Sequence, residues 1–361
     1  MNKYKFIGLL CIFAIAFLYG AGVGVYHWFP FNEIIKIKQF LIYEPPAKLR
    51  KIDLSFDNSE TLKFTSFLEH REQLKNKIIV NKELIEIHTY KKDKNSDYIT
   101  LKLYGIKVTG ILTKAKNSKK CLAIYIQGHG GDPFNFDYHK KIIKLYNQKG
   151  CDLLSLSMLG LGLNSGESSY PSKFGNVLLD KNQSSNHGNY VFYYDKSRAD
   201  YDPLSLFLSP HYYLIKHINS KYEKTTILGI SGGGWYTVWL AALIPEIDNS
   251  ISFAGTLPFE YRKYAHNHGD WEQIYSNIYS MTSYWKLYKL MTIDNNSLET
   301  RQAILSYNSD DHCCYMDPYV HHFKREIEKL GWKNLNVLID ETGGTHAIKV
   351  KVLKEILKKI E

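Results

Sequence analysis

The chain has 361 residues, of which 44% are hydrophobic, and its formal net charge is +10. This length suits one large domain with insertions or two ordinary domains, and the hydrophobic content excludes global disorder. The basic excess is mostly lysine spread along the chain, without an RRM, KH or zinc-finger pattern. The sequence therefore predicts a lysine-rich, solvated surface and no nucleic-acid partner.

The first segment, residues 1–29, is predicted to be a membrane anchor or a signal segment. Residues 6–26 contain no charged side chain, and a helix of about 21 residues spans about 31 Å, close to the thickness of a bilayer core. Tyr26, Trp28 and Phe29 resemble an interfacial aromatic belt, which favours an uncleaved anchor. Small residues within the segment leave cleavage as a signal peptide open.

The orientation of this predicted anchor is set only weakly by charge, because lysines flank both of its ends. A lone N-terminal signal-anchor usually precedes an exported domain. We therefore expect a membrane-anchored protein whose catalytic part lies on the extracytoplasmic side, in the periplasm or at the cell surface. A cytoplasm-facing enzyme with the same chemistry is the alternative.

The remainder of the chain shows an alternation of strands and helices. Residues 30–83 are weakly periodic and are interpreted as a connector and N-terminal extension. Residues 84–90 and 97–115 alternate apolar and polar side chains, which is typical of paired antiparallel strands. Six further apolar strands are predicted at 121–127, 151–159, 225–230, 250–257, 303–308 and 336–341. Helical stretches such as 139–150 separate most of them, which indicates an α/β protein with a doubly wound, mainly parallel sheet.

Two long intervals, 163–210 and 258–300, exceed what a simple crossover connection needs. Both are rich in aromatic residues, and both follow the carboxyl ends of predicted strands, where ligands bind in such sheets. They are therefore predicted to form caps over a binding site.

The five cysteines are Cys11, Cys121, Cys151, Cys313 and Cys314. Their spacing indicates neither a disulfide framework nor a CxxC metal motif. A disulfide between the adjacent Cys313 and Cys314 would be strained, so two buried thiols are expected there. The sequence predicts no metal site and no organic cofactor.

The main chemical motif is Gly229-Ile230-Ser231-Gly232-Gly233, a G-x-S-x-G pattern between an apolar strand and a helix-compatible run. In that context the serine sits on a strained turn with its Oγ exposed, and the glycines allow the helix to pack closely on the strand. Ser231 is therefore the predicted nucleophile.

A serine hydroxyl needs a base and an orienting carboxylate. His346 lies in a glycine-containing loop after the last predicted strand and is the predicted base. Asp310 and Asp311 both follow the end of the strand at 303–308. Asp311 is favoured as the carboxylate, with Asp310 second and Asp317 a distant third.

An oxyanion hole is predicted after the strand at 121–127, where the sequence reads Gly128-His129-Gly130-Gly131. A turn of this kind can present backbone N–H groups to a developing oxyanion, together with the N–H of Gly232. Either Gly130 or Gly131 is the donor, and His129 is expected to support the loop.

These four pieces, in the order HGG, G-x-S-x-G, Asp and His, resemble the α/β-hydrolase superfamily over residues 84–361. The resemblance implies an eight-stranded, mainly parallel sheet, a Ser-His-Asp triad and hydrolysis of an ester or related acyl bond. The segments GDWEQIY, YWKLYKL and SDDHCC are similar to bacterial exported hydrolase-like proteins of the serine branch. The chain departs from the dienelactone-hydrolase branch, which has cysteine where Ser231 stands, and Ser157 occupies a position where aspartate is common.

The sequence thus predicts a membrane-anchored serine hydrolase, specifically a carboxylesterase acting on a small-molecule, glycan or lipid ester. Its predicted site consists of Ser231, Asp311 and His346 with the oxyanion-hole glycines. Two alternatives remain open at this point. One is a catalytically silent hydrolase fold that binds at the membrane, and the other is a peptidase or thioesterase of the same fold.

Overall fold

The computed structural model describes the chain over residues 16–20, 60–80, 85–165, 169–172, 175–178, 201–262, 269–297, 300–311, 313–315, 317–343 and 345–360. The chain divides into two units, Met1–Asp53 and Leu54–Glu361. In the first unit, residues 16–20 are helical and exposed. The rest of the predicted membrane segment 6–26 lies outside the described residues. Within the described ranges, no helix combines the length and hydrophobicity needed to cross a membrane.

The second unit is built on a large sheet with helices against it. The strands of this unit are β1 (Glu86–Lys91), β2 (Ser96–Leu103), β3 (Ile106–Thr113), β4 (Cys121–Gln127), β5 (Cys151–Ser157), β6 (Ser169–Ser172), β7 (Gly175–Leu178), β8 (Lys224–Ile230), β9 (Asn249–Phe253), β10 (Gln302–Asn308) and β11 (Leu335–Asp340). Strands β6 and β7 form a separate two-stranded sheet. The helices are α1 (Glu60–Ile78), α2 (Asp137–Gln148), α3 (Pro203–Asn219), α4 (Gly232–Leu243), α5 (Trp271–Ile274), α6 (Ser276–Tyr279), α7 (Tyr284–Leu290), α8 (Tyr319–Leu330) and α9 (Val350–Ile360).

The main sheet has the strand order β1-β2-β3-β5-β4-β8-β9-β10-β11. Strands β5, β4, β8, β9, β10 and β11 are parallel, whereas β1, β2 and β3 form an antiparallel meander joined to β5. Strand β4 reads CLAIYIQ and is buried along nearly its whole length, as expected for a strand covered on both faces.

The prediction of an eight-stranded sheet was wrong in strand number, because the sheet has nine strands. The sheet is mixed, since antiparallel strands adjoin the parallel ones. The run at 97–115 forms two strands, β2 and β3, which pair from Leu103 opposite Ile106. Tyr104 and Gly105 between them have φ values of 50° and 81°. Two positive φ values in a two-residue loop are typical of a tight hairpin turn, and this turn creates the additional strand.

Helices cover both faces of the sheet because their sequences carry matching apolar surfaces. Helix α9 buries Leu353, Ile356 and Leu357, a spacing that places all three side chains on one helical face. They join a core cluster with side chains of α2 and of the central strands. Helix α4 is apolar all round and buried at every position, so it lies within the interior.

Helix α1 lies in the region interpreted from sequence only as a connector and extension. It positions Arg71, which is completely buried and donates hydrogen bonds to the carbonyls of Ala242 (2.9 Å) and Leu290 (3.1 Å). Arg301 donates similarly to the carbonyl of Ala241 at 2.8 Å. The last carbonyls of a helix have no hydrogen-bond partner within the helix. The two arginines therefore supply donors to the last carbonyls of α4 and α7.

The cysteines differ from the sequence expectation. A disulfide joins Cys121 at the start of β4 to Cys151 at the start of β5, although the spacing indicated no disulfide framework. Those two residues are direct neighbours in the parallel pairing of β4 and β5, a relation that sequence spacing does not reveal. Cys313 is exposed and Cys314 is partly buried, and both are free, so the expectation of two buried thiols was wrong.

Buried histidines make stability depend on pH, and His70 and His139 are two of them. His70 bonds to the Thr282 hydroxyl at 2.9 Å and His139 to the Ser155 hydroxyl at 2.8 Å, and burial lowers the pKa of each from 6.5 to about 4. The unfolded chain therefore binds more protons between these values. We expect stability to fall as the pH drops from about 6.5 to 4, by about 3 kcal/mol for each histidine.

Urea unfolding at pH 7 and pH 4.5 measures this effect. The variant His139→Gln is expected to lose less stability on acidification than the wild type, and the exposed His88→Gln should match the wild type. An equal loss in wild type and His139→Gln would contradict the assignment.

Candidate active site

Ser231 lies on a strained turn between β8 and α4. Its backbone has φ 57° and ψ −128°, a region that residues with a side chain rarely adopt. The turn is held in place because the Ser231 N–H donates to the Phe253 carbonyl at 2.9 Å. Ser231 itself is partly exposed and lines a cavity. This is the conformation in which a serine Oγ projects from a strand–helix turn.

The glycines that flank Ser231 allow a very close backbone approach. A Cβ atom at Gly229 would lie 2.2 Å from the Gly233 carbonyl oxygen, and one at Gly233 would lie 2.0 Å from the Ile126 carbonyl oxygen. No side chain fits at either distance. The G-x-S-x-G pattern is therefore required by the packing of α4 against β8 and β4.

Asp311 and His346 are brought together from two loops at the edge of the sheet. The Asp311 carboxylate is fully buried, and its Oδ2 lies 2.7 Å from Nδ1 of His346. The adjacent Asp310 is exposed. Asp317, the third candidate, pairs instead with His321 on α8. Asp311 is therefore the carboxylate that orients His346.

The other ring nitrogen of His346, Nε2, is the atom that would accept a proton from Ser231. Nε2 is buried and has no hydrogen-bond partner of acceptable geometry among the described residues, so the structure does not show a bond between it and Ser231. Both residues nevertheless line the same cavity. Catalytic hydrogen bonds are often long in ligand-free enzymes and tighten when substrate binds.

The charge of His346 is influenced by its neighbours. Burial alone would lower the pKa of His346, but the hydrogen bond to Asp311 and the proximity of Cys313 raise it to about 10. In turn, the contact with Cys314 and the proximity of His346 lower the pKa of Cys313 to about 5. Each group therefore favours the charged form of the other, and the neutral form of His346 is the one that can accept a proton at Nε2.

The oxyanion-hole candidates occupy the turn after β4 and the start of α4. The N–H of Gly131 donates to the Gly128 carbonyl at 3.0 Å, which closes the turn. Gly130 lines the cavity beside Ser231. Gly232 is the first residue of α4, where backbone N–H groups have no acceptor within the helix. The geometry therefore favours Gly130 and Gly232 over Gly131 as donors.

The cavity next to Ser231 has a volume of about 450 Å³. The predicted cap segment 258–300 contributes Gly269, Asp270 and Gln273 to its wall, whereas no described residue of 163–210 lines it. Aromatic residues, namely Phe136, Tyr138 and Tyr315, also line it. The described wall is therefore mixed, with aromatic faces and several polar groups.

Two glutamines in the wall are held in defined orientations. The side-chain oxygen of Gln127 accepts hydrogen bonds from the hydroxyls of Tyr125 and Tyr138. The side-chain oxygen of Gln273 accepts from Arg262 and Tyr315. Since each amide oxygen is already bonded to two donors, the NH₂ group is the part of each glutamine that could bind a ligand, and it would do so as a donor.

His129 links the oxyanion turn to the 258–300 segment. Its Nε2 lies 3.1 Å from a carboxylate oxygen of Asp270, and burial lowers its pKa. A Cβ atom at Gly232 would lie 2.9 Å from the His129 ring, so the ring packs directly against the start of α4. This arrangement agrees with a supporting role for His129.

The comparisons with known proteins concern the fold. No family model matches the sequence, and the search of curated proteins gave no match. The structure is similar to acetyl xylan esterase 1 from Thermoanaerobacterium sp. JW/SL YS485, with a TM-score of 0.53 and 15% identity, covering 82% of this chain and 92% of that chain. It is also similar to an acetyl xylan esterase from Paenibacillus sp. R4, with a TM-score of 0.50 and 13% identity, covering 90% of this chain and 98% of that chain. The chain therefore has the α/β-hydrolase fold.

Sequence reasoning missed several residues of the cavity wall. Gln127 ends an apolar strand, and Asp270 and Gln273 lie in an aromatic-rich segment, so their types and spacing formed no motif. Cys313 and Cys314 also line the cavity. The signals for them in the sequence were their position next to the predicted acid Asp311 and the SDDHCC segment that contains them.

Proposed function

We propose that this protein is a serine hydrolase that cleaves carboxylic esters. The observation that carries the proposal is the placement of Ser231, in a strained strand–helix turn, on the same cavity as His346, whose ring is held by the buried Asp311. A strained serine and a carboxylate-oriented histidine facing one cavity are the parts that nucleophilic acyl transfer requires.

In the proposed reaction, Ser231 Oγ attacks the acyl carbon while His346 Nε2 takes its proton. The backbone N–H groups of Gly232 and Gly130 bind the oxyanion that develops. His346 then gives the proton to the leaving alcohol, and a water molecule releases the acyl group by the same steps. Asp311 keeps the proton on Nδ1 and stabilises the charged imidazole.

We further propose that the alcohol portion of the ester is polar, as in an acylated carbohydrate. The donors of Gln127 and Gln273 and the carboxylate of Asp270 suit a ligand that carries several hydroxyl groups. The aromatic faces of Phe136 and Tyr138 suit the apolar face of a sugar ring. The two similar structures are of acetyl xylan esterases, which agrees with a glycan ester more than with a lipid ester.

The variant Asp270→Ala tests this substrate class. Loss of one charged hydrogen bond costs about 1.5–3 kcal/mol, so kcat/KM for an acetylated xylo-oligosaccharide is expected to fall about 10- to 100-fold. Hydrolysis of p-nitrophenyl acetate, which has no hydroxyl groups, should fall less than about 3-fold. The exposed Asp137→Ala is the matched control. Equal losses on both substrates would argue against recognition of a polyol.

The location of the enzyme is a further part of the proposal. The uncharged run at residues 6–26 supports an N-terminal anchor with the catalytic unit on the extracytoplasmic side. A compartment-sensitive reporter fused after Glu361 tests this orientation. A reporter that is active only in the cytoplasm would refute it.

A further inference from the structure

Three metal-ligating side chains meet at the wall of the cavity. Sγ of Cys313, Sγ of Cys314 and a ring nitrogen of His346 all lie within 4.8 Å of one another. The two sulfur atoms are 2.7 Å apart. Because His346 comes from a loop more than 30 residues away in sequence, no metal motif was visible in the sequence.

The geometry identifies which nitrogen of His346 is available. Nδ1 is bonded to Asp311, which leaves Nε2, buried and without a hydrogen-bond partner among the described residues. A histidine that binds a metal through one nitrogen commonly donates its other N–H to a carboxylate, which fixes the ring orientation. His346 has this arrangement.

Asp311 also positions the two cysteines. While its Oδ2 holds His346, its Oδ1 accepts the backbone N–H groups of Cys313 (2.9 Å) and Cys314 (3.2 Å). One buried carboxylate therefore fixes the loop that carries both sulfurs and the ring that carries the nitrogen. The three candidate ligands are held together before any ion binds.

We propose that Cys313, Cys314 and His346 form an inhibitory site for a thiophilic divalent ion, of which Zn²⁺ is the probe. Two thiolates and an imidazole are ligands that Zn²⁺ takes with a fourth position open, and here all three residues line the cavity, which can supply water for that position. Binding releases to solvent any protons that the two thiols and Nε2 of His346 carry. At Zn–S distances of about 2.3 Å in tetrahedral geometry, the two sulfur atoms lie about 3.8 Å apart. The exposed Cys313 side chain must therefore rotate so that its Sγ moves away from Sγ of Cys314 by about 1 Å.

Metal binding at Nε2 of His346 conflicts with the proposed role of that atom as the base. An ion on this atom occupies the lone pair that accepts the Ser231 proton, so the hydrolase is inactive while the ion is bound and recovers when it is removed. This consequence rests on the proposed function, whereas the binding itself does not.

Spectroscopic titration with Co²⁺ tests the site directly, using the full chain with its Cys121–Cys151 disulfide intact, its free thiols reduced and the protein freed of metal. We expect one equivalent of Co²⁺ to bind with a sulfur-to-cobalt charge-transfer band, and Zn²⁺ to displace it. The band should disappear in Cys313→Ser/Cys314→Ser and remain in the control Cys11→Ser. Because Cys313 is exposed, Cys313→Ser alone, expected to bind at least about 10-fold more weakly, serves if the double variant does not fold. Absence of the band in the wild type, or its persistence in the cysteine variants, would overturn the proposal.

A second experiment measures ester hydrolysis with and without one equivalent of Zn²⁺. Wild-type activity is expected to fall at least about 10-fold and to return on addition of EDTA, whereas the double variant should lose less than about 2-fold relative to its own metal-free rate. Binding without inhibition would overturn the inhibitory role. If the metal-free chain hydrolyses no ester, the proposed function fails. The cobalt spectrum still shows whether Cys313, Cys314 and His346 bind a metal ion.

Discussion

Replacement of Ser231 by alanine is expected to reduce the turnover of an ester substrate by at least about 10⁴-fold. The reason is that no other described hydroxyl occupies the strained turn at the start of α4, so the covalent acyl-enzyme can no longer form. The measurement is kcat for p-nitrophenyl acetate in wild type and Ser231→Ala at equal enzyme concentration. Any residual rate should reflect binding and the oxyanion hole alone.

The control for this prediction is a thermal melt, which shows whether Ser231→Ala is folded. Ser231 makes its positioning contact through its backbone N–H, which alanine retains, and the variant should therefore melt close to the wild type. Ser309→Ala, in the loop after β10, is a matched serine replacement outside the cavity wall. Turnover in a well-folded Ser231→Ala within about 10-fold of the wild type would place the nucleophile elsewhere.

Replacement of Asp311 by asparagine has the second-largest expected effect. Asparagine has nearly the same shape, but it removes the charge that stabilises the imidazolium and allows the wrong tautomer of His346. We expect kcat to fall by about 10³- to 10⁴-fold. The measurement is the rate of ester hydrolysis in parallel with a thermal melt.

The chain supplies a matched control for this substitution in the next residue. Asp310 is exposed, whereas Asp311 is buried and bonded to His346. Asp310→Asn should therefore retain activity within about 2-fold. Equal losses in the two variants, or a large loss only in Asp310→Asn, would contradict the assignment of the carboxylate.

The strands of the parallel half of the sheet could be predicted from the sequence, because burial on both faces demands continuous apolar runs. The predicted strand 121–127 coincides with β4, and the predicted strand 225–230 differs from β8 by one residue. The extra antiparallel strand was missed because one alternating run crosses the turn at Tyr104 and Gly105 without a change in pattern. Helix α1 was missed because its sequence has little periodicity.

The site was partly predictable for a similar reason. Ser231 lies in a motif that backbone packing requires, so its neighbours in sequence are also its neighbours in space. The contact between Asp311 and His346 depends on loop ends that the parallel strands bring together, so topology could suggest it. The polar wall formed by Gln127, Gln273 and Asp270 depends on how a long segment folds over the sheet, and local sequence pattern contains no signal for that.

The central claim is that Ser231 is an activated nucleophile, and reaction with a fluorophosphonate probe tests it most directly. The full chain is incubated with the probe, digested and analysed by mass spectrometry, beside Ser231→Ala and Asp311→Asn. We expect the wild type to be labelled on Ser231, Asp311→Asn to react at least about 10²-fold more slowly, and Ser231→Ala to remain unlabelled. A folded wild type that does not react would contradict the claim and favour a hydrolase fold used only for binding. A Ser231→Ala variant labelled as fast as the wild type would also contradict it and would place the reactive nucleophile elsewhere.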